Sequence, residues 1–311
     1  MPPLQLTPDG SLRHLITLAG LPQSLLHDIF SDADFFAKGD APRLLAGKLL
    51  VNIFFESSTR TRAAFEASAK QLGADVINLD QITMAGDTKR ESLSDTVRTV
   101  AAMGAAGIAL RHSKHGAAAE AAAAATEGVA VINGGNNCEA HPTQGLTDAY
   151  TLRERFGEDF SGLAVAIVGN VLHSRVARSD LHVLRIMGAS DIRLIGPKNL
   201  CPPFLAEELG APVFDDMEEG LSGADVIILL RIQRERLQAA LPVADYFAQY
   251  GMTEQRLSRI KKDAMILHPG PINRGIEISD AAADSAQSFI LRQVTNGMAI
   301  RKAVLSRLCG R

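Results

Sequence analysis

The chain has 311 residues, of which 46% are hydrophobic and 22% charged, and its formal net charge is -3 at pH 7. That length suits two domains of roughly 150 residues each. The small negative charge argues against a nucleic-acid partner. The sequence contains neither a run of about 18 apolar residues, as a membrane span requires, nor the N-terminal pattern of a secretory signal. Three widely spaced cysteines favour a reducing cytoplasm over a disulfide framework or a paired-cysteine zinc site.

Short apolar runs alternate with amphipathic segments after a helical and irregular stretch at 11–48. The predicted strands are 49–55, 75–79, 107–111, 129–133, 163–169, 192–196, 213–215, 225–230 and 265–267. The predicted helices are 61–72, 91–104, 116–126, 143–156, 174–187, 203–209, 217–222, 253–262 and 284–307. Such alternation is typical of doubly wound parallel sheets. We expect an α/β fold of two such domains joined by the long helix 143–156, with the C-terminal helix returning to the first domain.

The segment Ser58-Thr59-Arg60-Thr61-Arg62 falls where the first predicted strand turns into a helix. Amide groups in the first turn of a helix lack intrahelical acceptors, and the helix dipole is positive there, so this position favours an anion. Ser58 or Thr59 can cap the helix, and the Arg60 guanidinium can form a bidentate hydrogen bond to a phosphate. The alternative interpretation is an ordinary capped helix with two solvated arginines.

Arginines follow four of the predicted strands, namely Arg60, Arg111, Arg175 and Arg231. Ligands of open α/β sheets bind beyond the carboxyl ends of the strands. Each arginine alone could be a surface charge. Four cations converging on one crevice would repel one another, however, and this favours a strongly anionic ligand.

Several motifs are absent from the sequence. It has no Gly-x-Gly-x-x-Gly and no Gly-Lys-Ser/Thr phosphate loop, and its His, Cys and acidic residues show no metal-ligand spacing. His141 and His268, each followed by proline, form no obvious nucleophile pair and could be structural. We therefore expect no cofactor and no metal, and a site that positions anions and stabilises charge.

Together the motifs resemble those of the carbamoyltransferases. Phe55-x-x-Ser58-Thr59-Arg60-Thr61-Arg62, Arg111-His112 and His141-Pro142-Thr143-Gln144 carry the resemblance to the family. Arg231-Ile232-Gln233 and His268-Pro269-Gly270-Pro271 resemble its aspartate branch. The similarity runs from about residue 50 to the last helix.

The resemblance implies two groups of substrate-binding residues. Those for carbamoyl phosphate would be Ser58, Thr59, Arg60, Thr61, Arg111, His141, Gln144, Gly270 and Pro271. Among them Arg60, Thr61, Arg111 and His141 would be catalytic. Those for aspartate would be Lys89, Arg175, Arg231 and Gln233, with Lys89 contributed by a neighbouring subunit.

The resemblance also implies an organisation. Residues 1–148 with a C-terminal helix at about 288–311 would bind carbamoyl phosphate, and residues 149–287 would bind aspartate. The family is trimeric, with active sites shared between subunits. Whether the trimer also binds a regulatory or dihydroorotase-like chain is left open by the resemblance.

The sequence departs from the family pattern at four places. Arg90 replaces a glycine after the loop lysine, and Ala85 stands where a serine is usual. Asn136-Asn137 replaces Asp-Gly, and Asn170 replaces a common aspartate. We expect these changes to affect rate and loop closure rather than the reaction class.

Two alternative functions remain at this point. An ornithine carbamoyltransferase would have to bind a cationic side chain, and Arg231 and the His-Pro-Gly-Pro motif argue against that. An inactive anion-binding scaffold would not need the family's catalytic and substrate-binding residues, yet nearly all of them are present in this sequence.

Overall fold

The computed structural model of the chain describes residues 2–39, 42–56, 58–80, 91–232 and 242–310. The chain divides into two compact units. Unit 1 comprises Met1–Tyr150 with Thr295–Arg311, and unit 2 comprises Thr151–Val294. Two long helices contain the points at which the chain passes from one unit to the other.

Unit 1 is built on a parallel sheet of four strands in the order β2-β1-β3-β4. Its strands are β1 (Leu49–Phe54), β2 (Asp75–Asp80), β3 (Ala105–His112) and β4 (Ala130–Asn136). Its helices are α1 (Pro2–Gln5), α2 (Gln23–Ala37), α3 (Thr59–Gln71), α4 (Leu93–Ala102) and α5 (Ala117–Ala124). The helix α6 (Pro142–Phe156) begins in this unit and ends in the next.

Unit 2 is built on a parallel sheet of five strands in the order β7-β6-β5-β8-β9. Its strands are β5 (Ala164–Val168), β6 (Asp191–Ile195), β7 (Val213–Phe214), β8 (Val226–Leu229) and β9 (Met265–Leu267). Its helices are α7 (Arg175–Ile186), α8 (Leu205–Leu209), α9 (Met217–Leu221), α10 (Val243–Tyr250), α11 (Glu254–Leu257) and α12 (Asp280–Ala283). The last helix, α13 (Ile290–Cys309), begins in unit 2 and ends in unit 1.

The predicted α/β class with two parallel sheets is confirmed. The strands are apolar runs because helices cover both faces of a parallel sheet, so nearly every side chain is buried. In β1 and β4, for example, only Leu49 is not fully buried. Burial of this apolar surface at roughly 25 cal/mol per Å² is the main term that stabilises each sheet.

Two predicted helices differ from the structure. The helix expected at 253–262 is the short α11, which ends at Leu257, and the helix expected from residue 284 begins only at Ile290. The cause in the second case is pairing with β9, since Ile266 donates its N–H to the Gln287 carbonyl at 2.8 Å and accepts from Phe289 N–H at 2.9 Å. Residues bonded to a strand in this way cannot also satisfy a helical pattern.

The N-terminal segment is attached to the edge of the first sheet beside β4. Leu15 donates to the Val131 carbonyl at 2.9 Å, and the Gln5 side chain accepts from the amides of Ile16 and Thr17 at 2.7 and 2.8 Å. His14 is fully buried, and its Nδ1 accepts from the Val131 amide at 3.0 Å. The accepted bond assigns the proton of the neutral imidazole to Nε2.

None of the helices in the described ranges is both long enough and apolar enough to cross a membrane.

We predict that His14 makes the chain less stable as the pH falls below about 6.5. Burial, aided by the charge of Arg13, lowers the pKa of His14 to about 4. The unfolded chain then takes up this proton at a higher pH than the folded chain. Between pH 6.5 and 4 the free energy of unfolding should decrease by up to about 3 kcal/mol from this residue.

Urea unfolding at pH 7 and pH 4.5 measures the effect. His14→Asn should be less stable at pH 7 but should show a flatter pH dependence, because asparagine does not titrate. His115→Asn is the control, since the His115 side chain is 80% exposed. An unchanged pH dependence in His14→Asn would contradict the prediction.

Candidate active site

The first candidate residues lie at the carboxyl edge of the sheet in unit 1. The strand order places the topological switch point between β1 and β3, and ligands of such sheets bind at this point. Arg60 follows β1, while Arg111 lies in β3 opposite Phe54 of β1. The amide of Phe55 donates to the Arg111 carbonyl at 2.9 Å, which fixes the start of the loop toward α3 against β3. The two arginines therefore lie at the carboxyl ends of the two strands that flank the switch point, Arg60 beyond β1 and Arg111 in β3 next to its last residue.

The N-terminus of α3 lies at this edge. Ser58 occupies the N-cap position, but its side chain makes no capping hydrogen bond in the described helix. Side-chain capping by Ser58, which the sequence allowed, is thus not observed. Thr59 and Arg60 are exposed, Ser58 is half-buried and Thr61 is buried. The positive end of the helix dipole at this N-terminus favours an anion.

Arg111 is held by acceptors of its own unit. Its Nε lies 3.3 Å from Glu56 Oε2, and its Nη1 donates to the Gly134 carbonyl at 3.3 Å. The Arg111 side chain is 16% exposed and that of Glu56 26% exposed. An anion that binds the Arg111 guanidinium would compete with Glu56 for its N–H groups.

His112, the neighbour of Arg111, serves a packing role. Its ring lies 4.4 Å from that of Phe55, measured between centroids, and its Nδ1 accepts from the Lys114 amide at 2.8 Å. Burial and the nearby charge of Lys114 lower the pKa of His112. The imidazole is therefore neutral near pH 7 and supports the strand end beside Arg111.

His141 and Gln144 lie at the start of α6. Pro142 is the first residue of this helix, and the amides of Gln144 and Gly145 donate to the His141 carbonyl at 2.9 and 3.2 Å. Both His141 and Gln144 are buried, 6% and 9% exposed. The helix start thus fixes the two side chains about one turn apart on a buried part of unit 1.

Asn133 shapes the loop that leads from β4 to His141. Its side-chain nitrogen donates to the Ile16 carbonyl at 2.8 Å and to Asn136 Oδ1 at 2.7 Å. Asn137 has a φ of +39°, in the left-handed region that asparagine tolerates better than most residues. The Asn136-Asn137 departure from the family pattern is thus accommodated by loop hydrogen bonds and backbone conformation.

The second group of candidates lies at the carboxyl edge of the sheet in unit 2. Its switch point falls between β5 and β8. Arg175 is the first residue of α7, and Ser174 caps that helix by accepting from the Ala177 amide at 3.0 Å. Arg231 lies two residues beyond β8 and is exposed. In unit 2 an arginine follows each of the two strands that flank the switch point, and in unit 1 an arginine likewise lies at or after the end of each.

Asn170 lies in the loop between β5 and α7. It is buried, and its Oδ1 lies 3.3 Å from the His173 amide and 3.0 Å from His173 Nδ1. At this position the amide oxygen organises the turn that leads to Arg175, a role that a neutral side chain can fill.

A buried hydrogen-bond network supports the His268-Pro269-Gly270-Pro271 loop. His268 Nδ1 accepts from the Gly270 amide at 2.7 Å, which assigns the ring proton to Nε2, and Nε2 lies 3.0 Å from Glu277 Oε1. Glu277 also accepts from Asn273, at 2.6 Å from its amide and 3.3 Å from Nδ2. The Asn273 Nδ2 group further donates to the Ile232 carbonyl at 3.2 Å.

This network joins the loop after β9 to the residue that follows Arg231. Gly270, whose amide donates to His268, has a φ of +66°, a conformation that favours glycine. His268 and Glu277 are 2% and 1% exposed, so their hydrogen bonds are shielded from water. The sequence predicted His268 as a motif residue but gave no signal for Glu277, which lies beyond the motif.

Two predicted site residues, Lys89 and Gln233, lie outside the described residues, as do Ala85 and Arg90. Within the described part of the chain, no group of three or more His, Cys, Asp or Glu side chains could hold a metal ion.

Comparison with known proteins identifies the family. A family model described as the carbamoyl-P binding domain of aspartate/ornithine carbamoyltransferase matches residues 13–154, and its Asp/Orn binding domain matches residues 161–308. The chain belongs to the aspartate/ornithine carbamoyltransferase family. The resemblance inferred from the motifs is therefore confirmed, and the family accounts for nearly the whole sequence.

Relatives within this family extend over the full length of the chain. The chain is 49% identical to an aspartate carbamoyltransferase catalytic subunit of Stenotrophomonas maltophilia (strain R551-3), over 98% of this chain and 99% of the relative. It is also 49% identical to the aspartate carbamoyltransferase catalytic subunit of Xanthomonas campestris pv. campestris (strain B100), over 100% of both chains.

Solved structures of the family share the fold. The ornithine carbamoyltransferase of Thermus thermophilus superimposes with a TM-score of 0.84 at 28% identity, covering 96% of this chain and 99% of that one. The catalytic subunit of M. jannaschii aspartate transcarbamoylase superimposes with a TM-score of 0.82 at 29% identity, covering 96% and 98%. Both branches of the family thus have this architecture, so the fold alone does not select the second substrate.

We predict that Glu277→Gln will lower the free energy of unfolding by about 2–4 kcal/mol, because it breaks a buried, fully hydrogen-bonded acceptor. A glutamine keeps one acceptor oxygen and places an NH₂ group against donors of His268 or Asn273. Glu218→Gln is the control, since the Glu218 side chain is 48% exposed where it pairs with Arg256 at 2.9 Å. Loss of such a surface pair should cost less than about 1 kcal/mol. Equal effects in the two variants, measured by urea unfolding, would contradict a supporting role for Glu277.

Proposed function

We propose that this chain transfers the carbamoyl group of carbamoyl phosphate to the amine of L-aspartate, giving N-carbamoyl-L-aspartate and phosphate. The observation that carries the proposal is the pair of arginines flanking the switch point of each sheet, in a member of the aspartate/ornithine carbamoyltransferase family. Pairs of cations at strand ends suit one substrate with a phosphate and another with two carboxylates.

In unit 1 the proposal assigns the phosphate to Ser58, Thr59, Arg60 and Thr61 at the α3 N-terminus, with Arg111 beside it. The exposed Arg60 and the uncapped first turn support this assignment. Since Glu56 lies 3.3 Å from Arg111 Nε, phosphate binding would replace this carboxylate with a substrate anion. The site would thereby exchange one charge-assisted contact for another instead of burying a bare cation.

The chemistry requires stabilisation of negative charge on the carbamoyl oxygen. The aspartate amine attacks the carbamoyl carbon, a C–N bond forms, and the C–O bond to phosphate breaks. The leaving phosphate takes the amine proton, so protons balance without a protein base. Thr61, Arg111 and His141 are the donors proposed for the developing oxyanion, and such preorganised donors stabilise the transition state.

For the carbamoyl nitrogen the proposal assigns Gln144 with the segment around Gly270 and Pro271. An acceptor oxygen on Gln144 and backbone carbonyls would bind its N–H groups. For aspartate it assigns Arg175 and Arg231, together with Gln233 and the Lys89 of a neighbouring subunit. The predicted division of the sequence into a carbamoyl phosphate domain and an aspartate domain remains part of this proposal.

Aspartate is favoured over ornithine for electrostatic reasons. An exposed arginine at the end of β8 attracts a carboxylate and repels the ammonium group of ornithine. The relatives with 49% identity bear the aspartate carbamoyltransferase name. The product, a carbamoylated aspartate, fits a role in pyrimidine biosynthesis. We further propose a cytoplasmic location, supported by three free cysteines, of which Cys201 and Cys309 have pKa values raised to about 12 by burial.

The decisive experiment is a steady-state assay with carbamoyl phosphate and either L-aspartate or L-ornithine. We expect turnover with aspartate and almost none with ornithine. Arg231→Ala should raise the KM for aspartate about 10- to 100-fold, as expected for one hydrogen bond to a charged group. Arg98→Ala is the matched control, because Arg98 is a surface arginine whose side chain is 63% exposed. Equal rates with ornithine would overturn the assignment of aspartate as the substrate. The absence of turnover with either amino acid would favour the inactive anion-binding scaffold.

We also propose that the chain forms a homotrimer in which Lys89 serves the site of the next subunit. Arg60→Ala and Lys89→Ala should each be inactive alone, and Arg60→Lys should not restore activity because a point charge lacks the two-pronged geometry. After dissociation and random reassociation of the two variants, about a quarter of the shared sites would combine an intact loop with an intact phosphate site.

Activity should reappear in this mixture to about that fraction of wild type. Inactive mixtures in which mixed trimers demonstrably form would show that each site is built within one chain. A nearly normal Lys89→Ala variant would show that the loop lysine is only a solvated surface residue.

A further inference from the structure

The carboxamide of Gln144 has a fixed orientation. Its Nε2 donates to Asp148 Oδ1 at 2.8 Å, one helical turn further along α6. Both residues are buried, 9% and 1% exposed. A carboxylate only accepts hydrogen bonds, so the nitrogen must face Asp148 and Oε1 must face away from it. A carboxamide turned in this way presents its acceptor oxygen, Oε1, on the side away from Asp148.

Asp148 lies in the same buried region as a cation from the other end of the sequence. Arg301, on α13, is 7% exposed, and burial lowers its pKa to about 10 against the opposing influence of the Asp148 charge. At neutral pH the guanidinium therefore remains charged. A buried carboxylate and a buried cation compensate one another, whereas either alone would be costly.

Arg301 is itself held in place by its surroundings. Its Nη1 donates to the Gly297 carbonyl at 2.8 Å, and its guanidinium carbon lies 5.5 Å from the centre of the Phe65 ring on α3. A Cβ atom at position 297 would lie 2.6 Å from Nη1, so the glycine gives the guanidinium room to lie against its own helix. The cation is thus fixed between α13 and the helix that begins at Thr59.

We propose that Asp148 and Arg301 are positioning residues that hold Gln144 as an acceptor and so make the site select acyl phosphates that carry an NH₂ group. The inference rests on the proposed function, in which Gln144 meets the carbamoyl nitrogen. A carbamoyl NH₂ donates to Oε1, whereas the methyl group of acetyl phosphate cannot. Phosphate oxygens are acceptors as well, so Oε1 of Gln144 does not contribute to binding of the phosphate itself.

The test compares carbamoyl phosphate with two probes that lack the NH₂ group, acetyl phosphate and inorganic phosphate. In Asp148→Asn the new amide can turn either its oxygen or its nitrogen toward Gln144, so the orientation is no longer fixed. We expect the KM for carbamoyl phosphate to rise about tenfold with kcat within a few-fold of wild type, because the contact exists in both the ground and transition states. The inhibition constants of acetyl phosphate and inorganic phosphate should change less than about twofold.

Five further variants separate positioning from a general structural effect. Gln144→Ala should show the same loss, and adding Asp148→Asn to it should cost nothing more, since the two residues act through one contact. Arg301→Lys keeps the cation and should retain the preference, while Arg301→Met should lose it. Glu154→Gln, which removes another carboxylate of α6, one paired with Arg292 at 2.5 Å, should leave all three constants unchanged.

The outcomes are distinct. If Asp148→Asn weakens all three ligands equally, or none of them, Asp148 does not orient Gln144 and the inference is overturned. If Asp148→Asn does not fold, the comparison of Arg301→Lys with Arg301→Met decides in the same way. A wild-type chain without any preference for carbamoyl phosphate would overturn the proposed function together with this inference. A preference that survives Asp148→Asn would overturn the inference alone.

Discussion

Two arginines at one edge of a sheet repel each other, and the candidate site of unit 1 requires that this repulsion be offset. Arg60 follows β1 and Arg111 lies near the end of β3, the two strands that flank the switch point, so the parallel topology itself places them at the same edge. Glu56 Oε2 lies 3.3 Å from Arg111 Nε. This carboxylate lowers the electrostatic cost of the Arg111 charge. Under the proposed function the phosphate would bind by exchange with Glu56, and its affinity would depend on the difference between two charged contacts rather than on either alone.

Buried polar groups determine the shape of the loops around the candidate site. A buried acceptor or charge without partners would cost several kcal/mol, so each such group ties together the segments that satisfy it. Glu277 joins the loop after β9 to the chain beyond Arg231 through Asn273. Asn133 likewise joins the N-terminal segment to the loop before His141. In both units, therefore, the segments that carry candidate residues are held by hydrogen bonds that water cannot easily replace.

The sequence predicted most strands because a parallel strand covered on both faces is a continuous apolar run. It also predicted the four arginines as candidate anion-binding residues, because they lie at or after the ends of these apolar runs. It could not predict the strand order that makes Arg60 and Arg111 neighbours of one switch point, because local patterns do not record pairing. It placed the start of the last helix six residues too early, since the pairing of Ile266 with Gln287 and Phe289 is a long-range contact. Asp148 and Arg301 are far apart in sequence, and Glu56 and Glu277 lie between or beyond motifs, so no local signal connected them to the site.

The recognition proposed for unit 1 combines two physical effects, attraction between charges and directional hydrogen bonding. In the proposed site, Arg60, Arg111 and the helix end would attract a phosphate by charge, but charge cannot distinguish one phosphate ester or acyl phosphate from another, because the anionic group is the same in all of them. Discrimination requires a neutral, directional group at a fixed distance from the charged one. A buried carboxamide provides this only if it cannot turn, since a rotated amide would present a donor where an acceptor is needed. The proposed role of Asp148 rests on its hydrogen bond to Gln144, and the buried Arg301 offsets part of the cost of that carboxylate, so an electrostatic arrangement that is costly in isolation would give the proposed site its selectivity.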